Sequence, residues 1–227
     1  QISMSRRTSC LIANGLSITR EGRVLLKDVS VEIKPAAITL ILGHNGAGKT
    51  LLMRALHGLI PPDEGTIHSP PASRQRMVFQ KPIMLRRTAL QYFKFVCPGL
   101  RISDQHSWFD SAQLTSQLDT PARRLSGGEQ QKLALIGALA AQPKILFLDE
   151  PAASLDVEAT MLIESLIAKA CDAGTTIIMT SHNRAQAARL ADQIIFMDHG
   201  SVKEQSDAKT FFQAPQSEAA RHYLAFT

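Results

Sequence analysis

No apolar run in the sequence approaches the roughly 20 residues that a membrane-spanning helix needs. The longest, such as Leu133 to Ala141 and Ile38 to Leu42, stop far short, so no spanning helix is predicted. Nor does a basic head followed by an apolar core stand at the N-terminus, and no secretion signal is expected. Cysteine is scarce: Cys10, Cys97 and Cys171 lack metal-ligand spacing and read as free thiols in a reducing, cytosolic compartment. Acidic residues are missing between Glu64 and Asp104, where Arg74, Arg76, Lys81, Arg86, Arg87, Lys94 and Arg101 fall. That stretch has no helix or ribbon pattern suited to a nucleic-acid groove, so no nucleic acid partner is expected. A face turned towards anionic lipid headgroups and a plain solvated face both stay open. What remains is ordinary for a globular chain: 44% hydrophobic and 20% charged residues over 227 positions.

Periodicity along the chain alternates between strand and helix. Leu16 to Thr19, a Glu21-Gly22 turn and Val24 to Ile33 read as β structure,. Ile38 to Leu42 reads as a strand buried on both faces. Thr50 to Leu59 is a predicted helix, closed by Gly58 and Pro61-Pro62,. Met77 to Phe79 is a further short strand. Residues 82–125 carry five of the twelve aromatics, Tyr92, Phe93, Phe95, Trp108 and Phe109, with Pro98-Gly99 as a break, and read as an inserted helical subdomain. Then follow a strand at Ile145 to Leu148, a helix from Val157 to Cys171, a strand at Thr175 to Met179, a helix at Arg184 to Leu190 and a strand at Ile194 to Met197. Such alternation predicts an α/β fold with a mostly parallel sheet covered on both faces.

Three segments point to chemistry. Gly43-His44-Asn45-Gly46-Ala47-Gly48-Lys49-Thr50 fits the phosphate-binding pattern G-x-x-x-x-G-K-[ST] between a strand and a helix,. Glycines let backbone N–H groups curl towards a polyphosphate, and the helix adds the positive end of its dipole. Lys49 then neutralises phosphate charge, and the Thr50 hydroxyl ligates Mg²⁺. Ile145 to Leu148 delivers Asp149 and Glu150 at a strand's C-terminal end, where open α/β sheets bind ligands,. Asp149 is the candidate metal holder, and Glu150, pointing elsewhere, is the candidate general base. Ser126 with Glu129 forms a capping box, and Gly127 and Gly128 beside it leave room for an anion to approach.

In this order, the phosphate loop, Gln80, Leu125-Ser126-Gly127-Gly128, the Asp149-Glu150 strand, Ser154-Leu155-Asp156 and His182 resemble the ATP-binding subunits of ABC transporters over essentially the whole chain. The resemblance implies a P-loop NTPase core, an N-terminal antiparallel β subdomain, and one ABC ATPase domain over residues 4–227. It implies ATP and Mg²⁺ as cofactors. Gln80 would sense Mg²⁺ and the attacking water, and His182 would contact the γ-phosphate. Ser126, Gly127 and Gly128 would face the ATP held by a second copy, and Asp156 would cross the dimer interface. The implied partners are a second copy, transmembrane permease subunits and, indirectly, a solute-binding protein, with the chain peripheral on the cytoplasmic side of the membrane. The chain ends at Thr227, and no appended regulatory domain is expected.

Leu51 to Leu59 and Met77 to Thr88 are similar to the ATPase subunits of tungstate importers, within the molybdate, phosphate and amino-acid importer group; the motor of a phosphate, amino-acid or export transporter and a soluble, non-transport ABC ATPase stay open as alternatives. Two departures stand out. Leu51 occupies a position where the family often has a second hydroxyl. The loop that usually stacks an aromatic on adenine offers Arg20, and no Phe, Trp or Tyr precedes Phe79. Asn183 replaces a common Asp.

Overall fold

The computed structural model describes residues 10–153 and 155–226; Ser154 lies outside the described residues. In chain order the strands are β1 (Leu11–Arg20), β2 (Arg23–Ile33), β3 (Ile38–Leu42), β4 (Glu64–His68), β5 (Gln75–Val78), β6 (Ile145–Asp149), β7 (Thr176–Ser181), β8 (Gln193–Asp198) and β9 (Ser201–Asp207). The helices are α1 (Lys49–His57), α2 (Ala89–Val96), α3 (Ile102–Ser111), α4 (Gly127–Ala140), α5 (Val157–Asp172), α6 (Arg184–Leu190), α7 (Ala208–Gln213) and α8 (Glu218–Phe226). None of them is long and apolar enough to cross a membrane, among the described residues.

One sheet runs β2-β1-β4 and is antiparallel. The other runs β5-β6-β7-β3-β8-β9, parallel except for β9, which pairs antiparallel with β8. Side chains alternate across the larger sheet, as strand geometry requires. Leu40, Leu146, Leu148 and Met179 enter one core with α2 to α7, while Ile41, Phe147, Ile178 and Met197 enter another beneath α1 and the N-terminal strands. Burial on both faces explains why β3 and β6 read as near-continuous apolar runs, interrupted only by Thr39 and the terminal Asp149,. The strand ends meet the phosphate loop and the two carboxylates at one rim of this sheet.

Several boundaries differ from the sequence reading. Helix α1 stops at His57 because Gly58 adopts φ 88° and returns its N–H to Ala55 O and Arg54 O,. Strand β5 ends at Val78, so Phe79 and Gln80 lie in the following loop. The helical stretch contains α2 and α3, with Phe93 edge-on to Phe109 at 5.4 Å. Strands β4 and β9 and helices α7 and α8 were not anticipated. The first is largely exposed and carries Gly65, and the second is a polar edge strand. Glu204 of β9 accepts the N–H groups of Gln216 and Ser217 at 2.9 and 2.8 Å and so anchors the approach to α8. All three cysteines are free, Cys97 and Cys171 buried.

Candidate nucleotide site

The loop between β3 and α1 is shaped by what its glycines avoid. A Cβ on Gly43 would lie 2.3 Å from Met197 O, so only glycine lets the loop pass this close to β8. Gly48 caps α1 with φ 100°, a backbone that side chains rarely adopt,. Inside the loop, Lys49 Nζ donates to Gly43 O at 2.9 Å and His44 O at 3.0 Å. Burial pushes the Lys49 ammonium below its ordinary pKa, against the opposing pull of the Glu150 and Asp149 carboxylates,. His44, Asn45 and Gly46 are exposed and Ala47 is buried; the His44 ring meets Tyr223 of α8 edge-on at 4.9 Å.

The two carboxylates at the end of β6 part company through the backbone. Asp149 stays in the strand, 4% exposed, and accepts the Thr50 hydroxyl at 3.0 Å on Oδ1. Glu150 takes a left-handed φ of 44°, uncommon for a non-glycine residue, and this turn sends its side chain elsewhere. Its Oε2 lies 3.2 Å from His182 Nδ1 and 3.4 Å from Gln80 Nε2. The structure therefore brings together Glu150, Gln80 and His182 from three separate parts of the sequence. Thr180, which the sequence reading passed over, touches both acidic residues: its hydroxyl donates to Asp149 Oδ1 at 2.7 Å and accepts Glu150 N–H at 3.0 Å.

A cavity of about 370 Å³ lies beside this cluster, lined by Thr50, Arg54, Phe79, Gln80 and Asp149 among others. A different cavity, about 360 Å³, is lined by Ser126, Gly128, Glu129, Lys132, Leu155 and Asp156 among others. The two share no lining residue. At the second, both halves of the expected capping box are formed: Glu129 N–H to Ser126 Oγ at 3.3 Å, Ser126 N–H to Glu129 Oε2 at 2.8 Å. A Cβ on Gly127 would meet nothing within 4 Å, and one on Gly128 only Leu155 and Ala159 at ordinary contact distances. Among the described residues, nothing calls for glycine at either position.

Other expected residues have local partners. Arg20, placed over the base by the sequence reading, instead donates to Asp63 Oδ1 at 3.0 Å and to Thr19 O at 2.7 Å. The guanidinium is held by a carboxylate reached through the β1–β4 pairing, which sequence distance hides. Asp156 accepts Ala159 N–H at 2.7 Å and caps α5, and Asn183 caps α6 by accepting Gln186 N–H at 3.0 Å. Leu51 packs against the core beneath α1.

Phosphate loop, parallel sheet and paired strand-end acids define a P-loop nucleotide-binding domain. Comparison with known proteins narrows the class. The family described as "ABC transporter" matches residues 26–153. The zinc import ATP-binding protein ZnuC of Yersinia pestis is 33% identical over 188 residues, 82% of this chain and 74% of that protein. The phosphate import ATP-binding protein PstB of Pyrobaculum aerophilum is 32% identical over 243 residues, 94% of this chain and 97% of that one. The solved structure of cbiO1 from Clostridium perfringens, part of the ABC transporter complex cbiONQ, has TM-score 0.79 and 26% identity, covering 91% and 92% of the two chains. The chain belongs to the ABC transporter family.

Proposed function

We propose that this chain is the ATP-hydrolysing motor subunit of an ABC importer, and that it works as a homodimer on transmembrane permease subunits. The observation that carries the reading is the convergence of Gln80 and His182 on Glu150, next to the Asp149–Thr50 pair.

Mg²⁺ fits this cluster. A hydroxyl and a carboxylate oxygen meet at 3.0 Å, and among the described residues no group of three or more His, Cys, Asp or Glu could hold a metal alone. Such a set suits an ion that takes the rest of its oxygen ligands from phosphates and water. When bound, the ion offsets charge on the phosphates. Thr50 and Asp149 would hold it, with Gln80 alongside. Residues 43–50 would cradle the phosphates of ATP, and Lys49 would exchange its two loop carbonyls for phosphate oxygens. Glu150 would take a proton from the water whose oxygen bonds to the γ-phosphorus, as the bond from that phosphorus to ADP breaks. Gln80 and His182 hold the Glu150 carboxylate while this happens.

The open flank of Gly127 supports a second copy at the other side of each ATP, where Ser126, Gly127 and Gly128 would meet the γ-phosphate. In this reading residues 4–227 act as one ATPase domain. Residues 82–125 carry closure to the permease, and a solute-binding protein takes part indirectly. The chain would sit peripherally on the cytoplasmic side of the membrane. For cargo we favour a tetrahedral oxyanion, tungstate first and molybdate second, supported only by the segments Leu51 to Leu59 and Met77 to Thr88. Cells without this subunit would then lose high-affinity tungstate uptake and keep phosphate uptake; the reverse pattern moves the cargo to phosphate.

Glu150→Gln tests the core of the proposal. The amide keeps size and hydrogen bonding but takes no proton, so turnover should fall by about 10²–10⁴-fold while ATP still binds. Near-normal turnover would remove Glu150 from the role.

A further inference from the structure

Thr180 lies in β7 directly opposite Asp149 in the parallel β6–β7 register. It is 0% exposed and follows Ile177, Ile178 and Met179, all equally buried. A hydroxyl in such surroundings is costly unless its bonding is complete, and valine would fill the same shape without that cost. The hydroxyl here is complete, and its direction is fixed. The Glu150 backbone amide can only donate, so at 3.0 Å it takes a lone pair of Thr180 Oγ1,. The single hydroxyl proton is then committed to Asp149 Oδ1 at 2.7 Å.

From this geometry we propose that Thr180 is the positioning residue of the site: one hydroxyl fixes the Asp149 carboxylate for a divalent cation and holds the Glu150 backbone in its left-handed turn. The inference rests on the reading of Asp149 and Glu150 given above. Asp149 Oδ1 already receives the Thr50 hydroxyl at 3.0 Å. With Thr180 as a second donor, Oδ1 is locked between two protons and the carboxylate plane is set, leaving Oδ2 to face the ion or its water. Thr50 meanwhile keeps its oxygen lone pairs for the metal. A left-handed φ at a non-glycine residue persists only where its surroundings hold it. The Thr180 bond to the Glu150 amide acts at the residue whose φ of 44° aims the carboxylate at His182 and Gln80.

The test compares wild type with Thr180→Val, Thr180→Ser and Thr180→Cys. Two quantities are measured: ATP turnover, and the affinity for a fluorescent ATP analogue in Mg²⁺ and in EDTA. The second needs no catalysis. Groups that orient metal ligands typically carry about 10–100-fold in metal affinity or activity. Thr180→Val should therefore lose about tenfold or more in turnover and most of the Mg²⁺-dependent gain in affinity, with affinity in EDTA within about twofold of wild type. Thr180→Ser, which keeps the hydroxyl, should stay within about threefold of wild type in both. Thermal unfolding checks that each variant folds. If Thr180→Val does not fold, the Ser and Cys variants decide, because a thiol is a weak donor. Cysteine values matching serine overturn the proposal. So does a Thr180→Val protein with wild-type turnover and Mg²⁺ linkage, or a wild type whose affinity ignores Mg²⁺. Failure of the Glu150 reading shows separately, as normal turnover in Glu150→Gln, and the binding arm still decides Thr180.

Discussion

Glu150 Oε2 sits 3.2 Å from His182 Nδ1, an approach made possible by the left-handed backbone at Glu150 and by the adjacency of β6 and β7. His182 is more than half exposed, at 57%, while Glu150 is only 17% exposed. The histidine thus lies on the open side of the carboxylate. His182→Ala should leave ATP affinity within about threefold and lower turnover by about 10²-fold, a loss typical of a misplaced reacting group. Steady-state and binding measurements on the same preparation check this. Unchanged turnover would show that Gln80 alone holds Glu150.

Two glycines should respond in opposite ways. Gly43→Ala puts a methyl 2.3 Å from Met197 O, so the loop must shift. The fold should lose about 1–3 kcal/mol, as for overpacking elsewhere, and nucleotide binding should go with it. Gly127→Ala meets nothing within 4 Å and lies in the first turn of α4. Its fold should be unchanged or up to about 1 kcal/mol more stable, yet ATPase activity should drop about tenfold because the methyl misplaces the second copy. Denaturant unfolding and ATPase assays on both variants read the contrast.

Arg20 has its guanidinium on Asp63, in an exposed ion pair with 46% and 47% of the two side chains accessible. That ion pair competes with any stacking of the guanidinium on a base. The phosphates must supply most of the affinity, and discrimination between ATP and GTP should stay within about tenfold, or ~1.4 kcal/mol. Arg20→Tyr offers a stacking face and should tighten both nucleotides by about 1 kcal/mol or more. Titrations of ATP and GTP against both proteins test it; strong ATP selectivity in the wild type would mean that another residue holds the base.

Acid should loosen the C-terminal segment through Glu204. Burial of this carboxyl acts to raise its pKa. Bonds from the Ser217 and Gln216 N–H groups, helped by the Ser206 and Ser217 hydroxyls, outweigh it, so the folded pKa lies below the usual value,. A depressed carboxyl stabilises the fold above its unfolded pKa, and that contribution is lost as pH falls through the folded one. Glu204→Gln should cost about 1 kcal/mol at neutral pH, the difference between hydrogen bonds to a charged and to a neutral acceptor. The gap to wild type should close in acid. Unfolding curves at neutral and acidic pH give the answer, and a gap independent of pH contradicts it.

Sequence legibility followed locality. Gly43 to Thr50, the Ser126–Glu129 box and the Asp149-Glu150 pair are encoded by spacing within a few residues, and the structure places them before a helix, at a helix cap and at a strand end respectively. Thr180 was invisible because its importance comes from the β6–β7 register that sets it opposite Asp149. The Arg20–Asp63 pair is hidden for the same reason: β1 meets β4 with Ser17 opposite Glu64, bringing up Asp63 from 43 residues away. Strands β4 and β9 escaped because their residues are mostly exposed or half-exposed. Neither the apolar run nor the alternation that betrays a strand is present in them.

The central claim is that each ATP is held between two copies, one offering the phosphate loop and the other the Ser126–Gly128 turn. It is tested most directly by size exclusion with light scattering on Glu150→Gln and on Glu150→Gln combined with Ser126→Arg. With Mg-ATP the first should elute as a dimer, and as a monomer without nucleotide. The second should bind ATP yet remain a monomer, because the arginine occupies the place of the other copy's γ-phosphate. If the double variant dimerises on ATP as readily as the single one, the Ser126–Gly128 turn does not face the second copy's nucleotide and the two-copy site is wrong.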